Sequence, residues 1–215
     1  MIVAFDTYYY NGYSYTVGGV FENWTDKKVN YYVTSKRECI DAEYVSGELY
    51  KRELPCIMQC IKMLDLNNID TIIVDGFVWL TTDGTDNTLA LGMRLFNALK
   101  EEYNRTDITI IGIAKTGFHW PIPGCVEIKR GVSKAPLYVT CSNKEETSKY
   151  ATLIEQMYGA YRLPDIIKAI DSKTRDINDV RNKPQPTNKT YHIMTYEEWI
   201  KLGKPVHCGL YIEDK

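Results

Sequence analysis

The chain has 215 residues, 44% of them apolar and 25% charged, which excludes wholesale disorder and supports one domain, alone or with a small appendage. No apolar run approaches the roughly 18–20 residues that a membrane span needs. Its 26 Lys and Arg against 28 Asp and Glu give a formal net charge of −2. A protein that coats nucleic acid by charge alone would be basic, whereas a metal-dependent phosphodiesterase can be near neutral, because its ions supply positive charge to a carboxylate cluster. The start, MIVAFDTYYY, lacks the basic flank and long apolar core of a secretion signal, so a cytoplasmic location is expected. Six cysteines (39, 56, 60, 125, 141 and 208) form no C-x-x-C pair and are expected to be reduced.

The pattern opens as a β-meander. Ile2–Phe5 is a short apolar run, Tyr8–Tyr10 are strand formers, and Asn11-Gly12 is a hairpin signal between them and Tyr13–Phe21. Val29–Val33 makes a third antiparallel strand. After residue 53 the character changes. Pro55 opens a helix at its first turn, with Ile57, Cys60, Ile61 and Leu64 at helical spacing. Thr71–Asp75 and Ile108–Ile113 read as strands buried on both faces, separated by a turn-rich segment (81–87) and a helix from about Thr88 to Tyr103. Strand–helix–strand units of this kind favour parallel pairing. Leu137–Thr140 adds a strand, Glu145–Tyr158 a helix, and Pro164–Asp171 a short last helix. The expected class is α/β: one mixed sheet, an antiparallel meander followed by parallel α/β units, flanked by helices.

The domain division expected from composition is 1–172 as the main domain, 173–190 as a polar linker with Pro184 and Pro186, and 191–215 as a small extension docking on the main domain. Within that extension, Thr195-Tyr-Glu-Glu198 has the form of a capping box.

Two acids stand out by position. Asp6 directly follows the apolar segment Ile2–Phe5, and Asp75 closes Thr71–Val74. A carboxylate at such a place costs desolvation energy unless hydrogen bonds or a cation compensate it. Each alone could cap a turn. Two in one sheet, with a third acid from elsewhere, form a set able to hold one or two Mg²⁺ ions at the carboxyl ends of the strands.

The segment Tyr44–Pro55, YVSGELYKRELP, resembles the block of endonuclease V that runs tyrosine, two residues, glycine, and ends in Arg-Glu-x-Pro. IIVDG (72–76), IIGIAK (110–115), APLYVT (135–140) and YRLPDIIKAID (161–171) are similar to its later blocks, in the same order, and the likeness spans about residues 2–172. The resemblance implies an RNase H-like fold and a metal-dependent endonuclease cutting DNA or RNA near deaminated bases such as inosine, with a place in DNA repair. It makes Asp6, Glu53 and Asp75 the metal-binding catalytic acids, Asp171 a candidate fourth, and Mg²⁺, with Mn²⁺ as substitute, the cofactor. Lys115 matches a lysine near the scissile phosphate. Tyr44 matches a strand-separating wedge, and Gly47 and Gly76 match glycines shaping the pocket for a flipped base. Arg52 stands where it would line the phosphate path or pair with an acid.

Read without the resemblance, Glu53 is an acid in a helix's first turn, Lys115 a solvated residue past a strand, and Asp171 an exposed helical acid. The departures from the family pattern cluster around the base pocket. Phe77-Val-Trp-Leu-Thr81-Thr-Asp83 replaces a glycine and His-Pro-Arg, putting Thr81 at the histidine and Asp83 at the arginine. Glu43 and Ser46 stand where prolines are usual, and Cys141-Ser-Asn143-Lys144 replaces a glycine-histidine-arginine stretch. Val78 and Trp79 are expected to alter what fits the pocket. His119, His192 and His207 match no family position, and His119 reads as a loop residue. Two other functions remain open on the same fold: a nucleic-acid-binding module without turnover, and an interaction protein whose extension beyond residue 190 docks a protein partner.

Overall fold

The antiparallel meander at the start of the chain builds one half of the sheet. β1 (Ile2–Tyr10) and β2 (Tyr13–Phe21) pair with Tyr10 opposite Tyr13, and Gly12 takes the positive φ, 74°, that a two-residue hairpin turn demands. The structure, a computed structural model, describes residues 1–10, 12–38, 50–80, 89–118 and 121–182, with side chains as far as 176. β3 spans Tyr31–Glu38, later than the expected Val29–Val33. Its polar TSKRE half hid it, yet Thr34 and Ser35 are buried and the ladder to β2 runs from Tyr31 to Glu38.

The second half is wound from α/β units. α1 (Tyr50–Ile61) leads to β4 (Thr71–Asp75), and α2 (Leu91–Tyr103) leads to β5 (Thr109–Ala114). β1, β4 and β5 are mutually parallel, as the connections predict. β7 (Leu137–Cys141) returns antiparallel on β5, and a short edge strand, β6 (Val126–Ile128), closes the order β3-β2-β1-β4-β5-β7-β6. β6 was too short to announce itself by alternation. α1 differs from expectation in its start. It begins at Tyr50, so Pro55 lies inside it, where its ring contributes no N–H to the helical ladder.

Each face of the sheet carries a core. Val3, Phe5, Ile72, Val74 and Ile110 pack under α1 and α2. Ala4, Val17, Ile73 and Ile111 pack under α3 (Thr147–Gln156) and α4 (Asp165–Asn182). Gly19 lets α4 come this close, because a Cβ there would stand 2.6 Å from the Ile170 side chain. α4 is an 18-residue helix, not the short one ending at Asp171, so the first part of the polar stretch read as a linker is helical as far as Asn182. No helix-breaking residue intervenes before Pro184, and Thr174, wholly buried, gives this stretch a packed face.

Arg130 fastens the turn from α3 into α4. Its buried guanidinium donates to the carbonyls of Glu155 (3.1 Å), Gly159 (3.2 Å) and Tyr161 (2.9 Å) and to that of Met157. Cys56, Cys60 and Cys141 are buried, and among the described residues they and Cys125 form no disulfide. Among the described residues no helix is long and apolar enough to cross a membrane. The expected 191–215 extension, its capping box, His119, His192, His207, Cys39 and Cys208 all lie outside the described residues.

Gly112 in β5 sits where three strands meet the turn after β4. A Cβ there would stand 2.5 Å from the Gly76 carbonyl oxygen and 2.9 Å from the Val78 nitrogen, backbone atoms that cannot rotate away. Gly112→Ala is therefore expected to destabilise the fold by about 1–3 kcal/mol, read from the urea midpoint.

Candidate active site

The site follows from strand register. β1 and β4 are paired in parallel, Phe5 beside Val74, so the next residues along each strand, Asp6 and Asp75, reach the same end of the sheet. β4 stops there while β1 continues in the hairpin, leaving the two acids at a step in the sheet. Ala4 and Ile73, two residues earlier, face α4, and so do Asp6 and Asp75 by the alternation of a strand. α4 adds Asp171 and α1 adds Glu53 from the opposite face. A crevice with room for about one water-sized body, ≈ 20 Å³, lies between Asp6, Asp75, Lys115 and Asp171 over an apolar floor that includes Ile73 and Ile170.

Lys115 follows the end of β5, and its Nζ donates to Asp75 Oδ2 at 2.7 Å. Burial opposes its charge, but Asp75, by charge and hydrogen bond, with Asp6 and Asp171 behind it, raises its pKa and keeps it protonated. It is half-buried and paired, not a solvated residue past a strand. Its backbone is held as well, because Arg162 donates to the carbonyl of Lys115 and to that of Pro136.

The acids divide by environment. Burial, then the charge of Asp75, push the Asp6 carboxyl up to about 7, and a hydrogen bond to Asp171 also favours its protonated form. Burial, then Asp75 and Asp6, push Glu53 up to about 8, with Arg52 and Lys115 only partly offsetting this. Burial works against the Asp171 carboxylate too, but hydrogen bonds from Arg175 (3.0 Å) and Asp6 outweigh it and lower its pKa. The cluster is thus short of positive charge. Its donors are hard carboxylate oxygens, the ligands that Mg²⁺ and Mn²⁺ prefer, and a divalent cation would reverse the two upward shifts. The donor set fits such an ion. Among the described residues no three His, Cys, Asp or Glu side chains form a ready-made coordination shell. Lys115 lies on Asp75 and Arg175 on Asp171, so two of the carboxylates already have cationic partners.

Of the residues singled out in the sequence, Asp6, Glu53, Asp75, Lys115 and Asp171 are brought together. Gly76 follows Asp75 with φ 127°, a conformation that needs glycine, and donates its N–H to the Ile113 carbonyl at 3.1 Å. Arg52 lies on the Tyr9 ring, 4.2 Å from its centroid. Val78 and Trp79 are turned to structural use. Val78 is buried against Gly92 and donates its N–H to Thr140 Oγ1 (2.9 Å), while Trp79 Nε1 donates to the Cys141 carbonyl (2.9 Å). Tyr44, Gly47, Thr81 and Asp83 lie outside the described residues. Sequence reasoning missed Arg162 and Arg175. The second had a signal, its i, i+4 spacing from Asp171 on one helix.

No protein-family model matches the chain, and no curated protein matches it by sequence. Solved structures do. Endonuclease V of Ciona intestinalis, in complex with a 24mer DNA containing an inosine followed by a ribo-adenosine, superposes with a TM-score of 0.64 at 16% identity, covering 84% of this chain and 86% of that one. The catalytic domain of human endonuclease V gives 0.59 at 18% identity over 85% and 84% of the two chains. The Bacillus subtilis enzyme gives 0.55 at 20% over 84% and 81%. The chain has the fold of endonuclease V. The mixed sheet expected from the meander and the α/β units, RNase H-like by the resemblance, is the sheet observed.

Because the folded pKa values of Asp6 and Glu53 exceed their ordinary 3.8 and 4.5, the native state holds more protons than the unfolded chain between roughly pH 5 and 8. Stability with divalent metal chelated should therefore fall as pH rises through this window. Glu53→Gln should flatten the fall, and Mg²⁺ should restore stability most at its alkaline end, all read from urea midpoints. A level profile in the unsubstituted protein would show that neither burial nor repulsion raises the two acids.

Proposed function

We propose that the chain is a divalent-metal-dependent endonuclease of the endonuclease V type, hydrolysing phosphodiester bonds in DNA or RNA. The observation that carries this is the meeting of Asp6 and Asp75 at one sheet end with Glu53 and the paired Lys115 beside them. Asp6, Glu53 and Asp75 would hold the ion, with Asp171 as a fourth acid. A bound Mg²⁺ or Mn²⁺ supplies Lewis-acid polarisation of the phosphate and lowers the pKa of an attacking water. The chain's own groups do the rest. Lys115, protonated and fixed at its carbonyl by Arg162, offers its ammonium to a phosphate oxygen as negative charge grows there. Asp75 positions that ammonium. Arg175 keeps Asp171 ionised. In-line attack would leave a 5′-phosphate and a 3′-hydroxyl. The Ciona enzyme's inosine-containing DNA makes a deaminated base the first specificity to test.

One observation favours a second reading, a binding module without turnover: Lys115 and Arg175 already neutralise part of the carboxylate set.

Labelled single-stranded DNA and RNA, each with and without one inosine, separate the readings when incubated in Mg²⁺ and in Mn²⁺. Cleavage is expected, and Asp75→Asn should abolish it. Strands bound but never cut would support the binding module, and cleavage untouched by Asp75→Asn would overturn the mechanism. Lys115→Gln should lower kcat by about 10²–10³-fold, the usual effect of removing one preorganised charge donor.

A further inference from the structure

The hairpin of β1 and β2 projects past the acid cluster. Pairing of β1 with β4 ends at Phe5, and β1 runs on to Tyr10, about 13 Å beyond Asp6 at roughly 3.3 Å per residue. On the face that Asp6 shares, alternation and register bring Tyr8 and Tyr10 of β1 beside Tyr15 and Tyr13 of β2, and Lys36 of β3 beside Tyr15. The rings of Tyr8 and Tyr10 are nearly parallel, 12° apart with centroids at 6.4 Å. Lys36 Nζ lies 3.9 Å above the Tyr13 ring, and the Arg175 guanidinium lies 4.9 Å from that of Tyr8.

Packing explains Tyr15, which is buried, but not Tyr10, which is 41% exposed at the end of the strand. A ring face covered by a flexible lysine is a face that a planar group can reach once the lysine moves to a nearby anion. Aromatic faces interleaved with cations, beside a phosphodiesterase site, are what a single-stranded nucleic acid recognises: bases stack on the rings and phosphates meet the cations. Glu38, opposite Tyr13, marks the outer end of the favourable stretch.

We infer that this projecting hairpin face binds single-stranded nucleic acid on one side of the cleaved bond, with Tyr8, Tyr10 and Tyr13 as stacking surfaces and Lys36 and Arg175 as phosphate contacts. The inference rests on the nuclease reading and adds to it a track outside the acid cluster. The strand recognised is unpaired, because a duplex hides its base faces.

The test is affinity as a function of strand length. Fluorescence anisotropy of the full chain, with Ca²⁺ replacing Mg²⁺, is measured on inosine-centred DNA strands extended by three nucleotides on the 5′ side, on the 3′ side, or on neither. Extension on one side should tighten binding about ten-fold, and Tyr10→Leu should remove that gain while leaving the unextended strand's affinity as it was. Lys36→Gln, which leaves the strand's apolar packing intact, should reduce the salt slope for the extended strand by about 0.7. Thermal midpoints of both variants verify folding. Equal gains in the wild type and both folded variants would overturn the track and leave the nuclease reading standing. Failure of the wild type to bind any strand would overturn both.

Discussion

The parallel pairing of β1 with β4 is the constraint on which the site depends. Setting Phe5 against Val74 in a strand buried on both faces fixes where Asp6 and Asp75 emerge. A slip of one residue in β1 would turn its side chains over, moving Asp6 from the face under α4 to the face under α1 and away from Asp75. Thus the sheet core and the acid pair specify each other. The same register places the end of β5 beside Asp75, through Ile113, so that Lys115 arrives within reach of the carboxylate. α4 is seated on β2 through Gly19 and tethered at its start through Arg130, which sets Asp171 over Asp6. Five separate elements converge, α1 with Glu53 among them, yet one pairing determines the point of convergence.

That convergence has an electrostatic consequence. Carboxylates drawn into a half-buried space lose hydration and also repel one another more strongly than in water, and the upward shifts of Asp6 and Glu53 express first the burial and then the repulsion. Lys115 and Arg175 each stabilise one partner but do not neutralise the group. An arrangement so short of positive charge is unfavourable as scaffolding alone, since apolar residues of the same volume would pack without desolvation cost. Added positive charge among these oxygens would relieve it.

Much of this was legible in the sequence because it rests on local chemistry. Thr71–Asp75 matches its strand end for end, and the alternation of the meander predicts the antiparallel half of the sheet. What was hidden had competing signals. The TSKRE end of β3 reads as surface, but Ser35 is buried against α1, donating to the Cys56 carbonyl, and Thr34 is buried on the opposite face beside Val17. The polar residues after Asp171 read as a linker, although nothing in them breaks a helix and Asp171 with Arg175 supports one. Pro55 signals a helix start, yet the helix begins upstream with Glu53 in its first turn, where an acid meets the dipole favourably. Arg130 and Arg162 act through carbonyls far along the chain, contacts that no spacing rule reaches.

The turn after Asp75 shows how close packing of the backbone holds the charged cluster beside it. Gly76 holds a left-handed φ and Gly112 admits its carbonyl, so the backbone leaves β4 along a path that these two glycines fix. Past that point Val78 fills the notch at Gly92 and Trp79 is anchored to the Cys141 carbonyl, with Lys144 over its ring at 4.3 Å. These bulky residues contact α2 through Gly92 and β7 through Thr140 and Cys141. The backbone at Asp75 is therefore held by close glycine contacts on one side and by a filled core on the other. A carboxylate fixed in this way can position the Lys115 ammonium without reorganising, and that rigidity is the condition under which a fixed charge stabilises a transition state more than it stabilises the ground state.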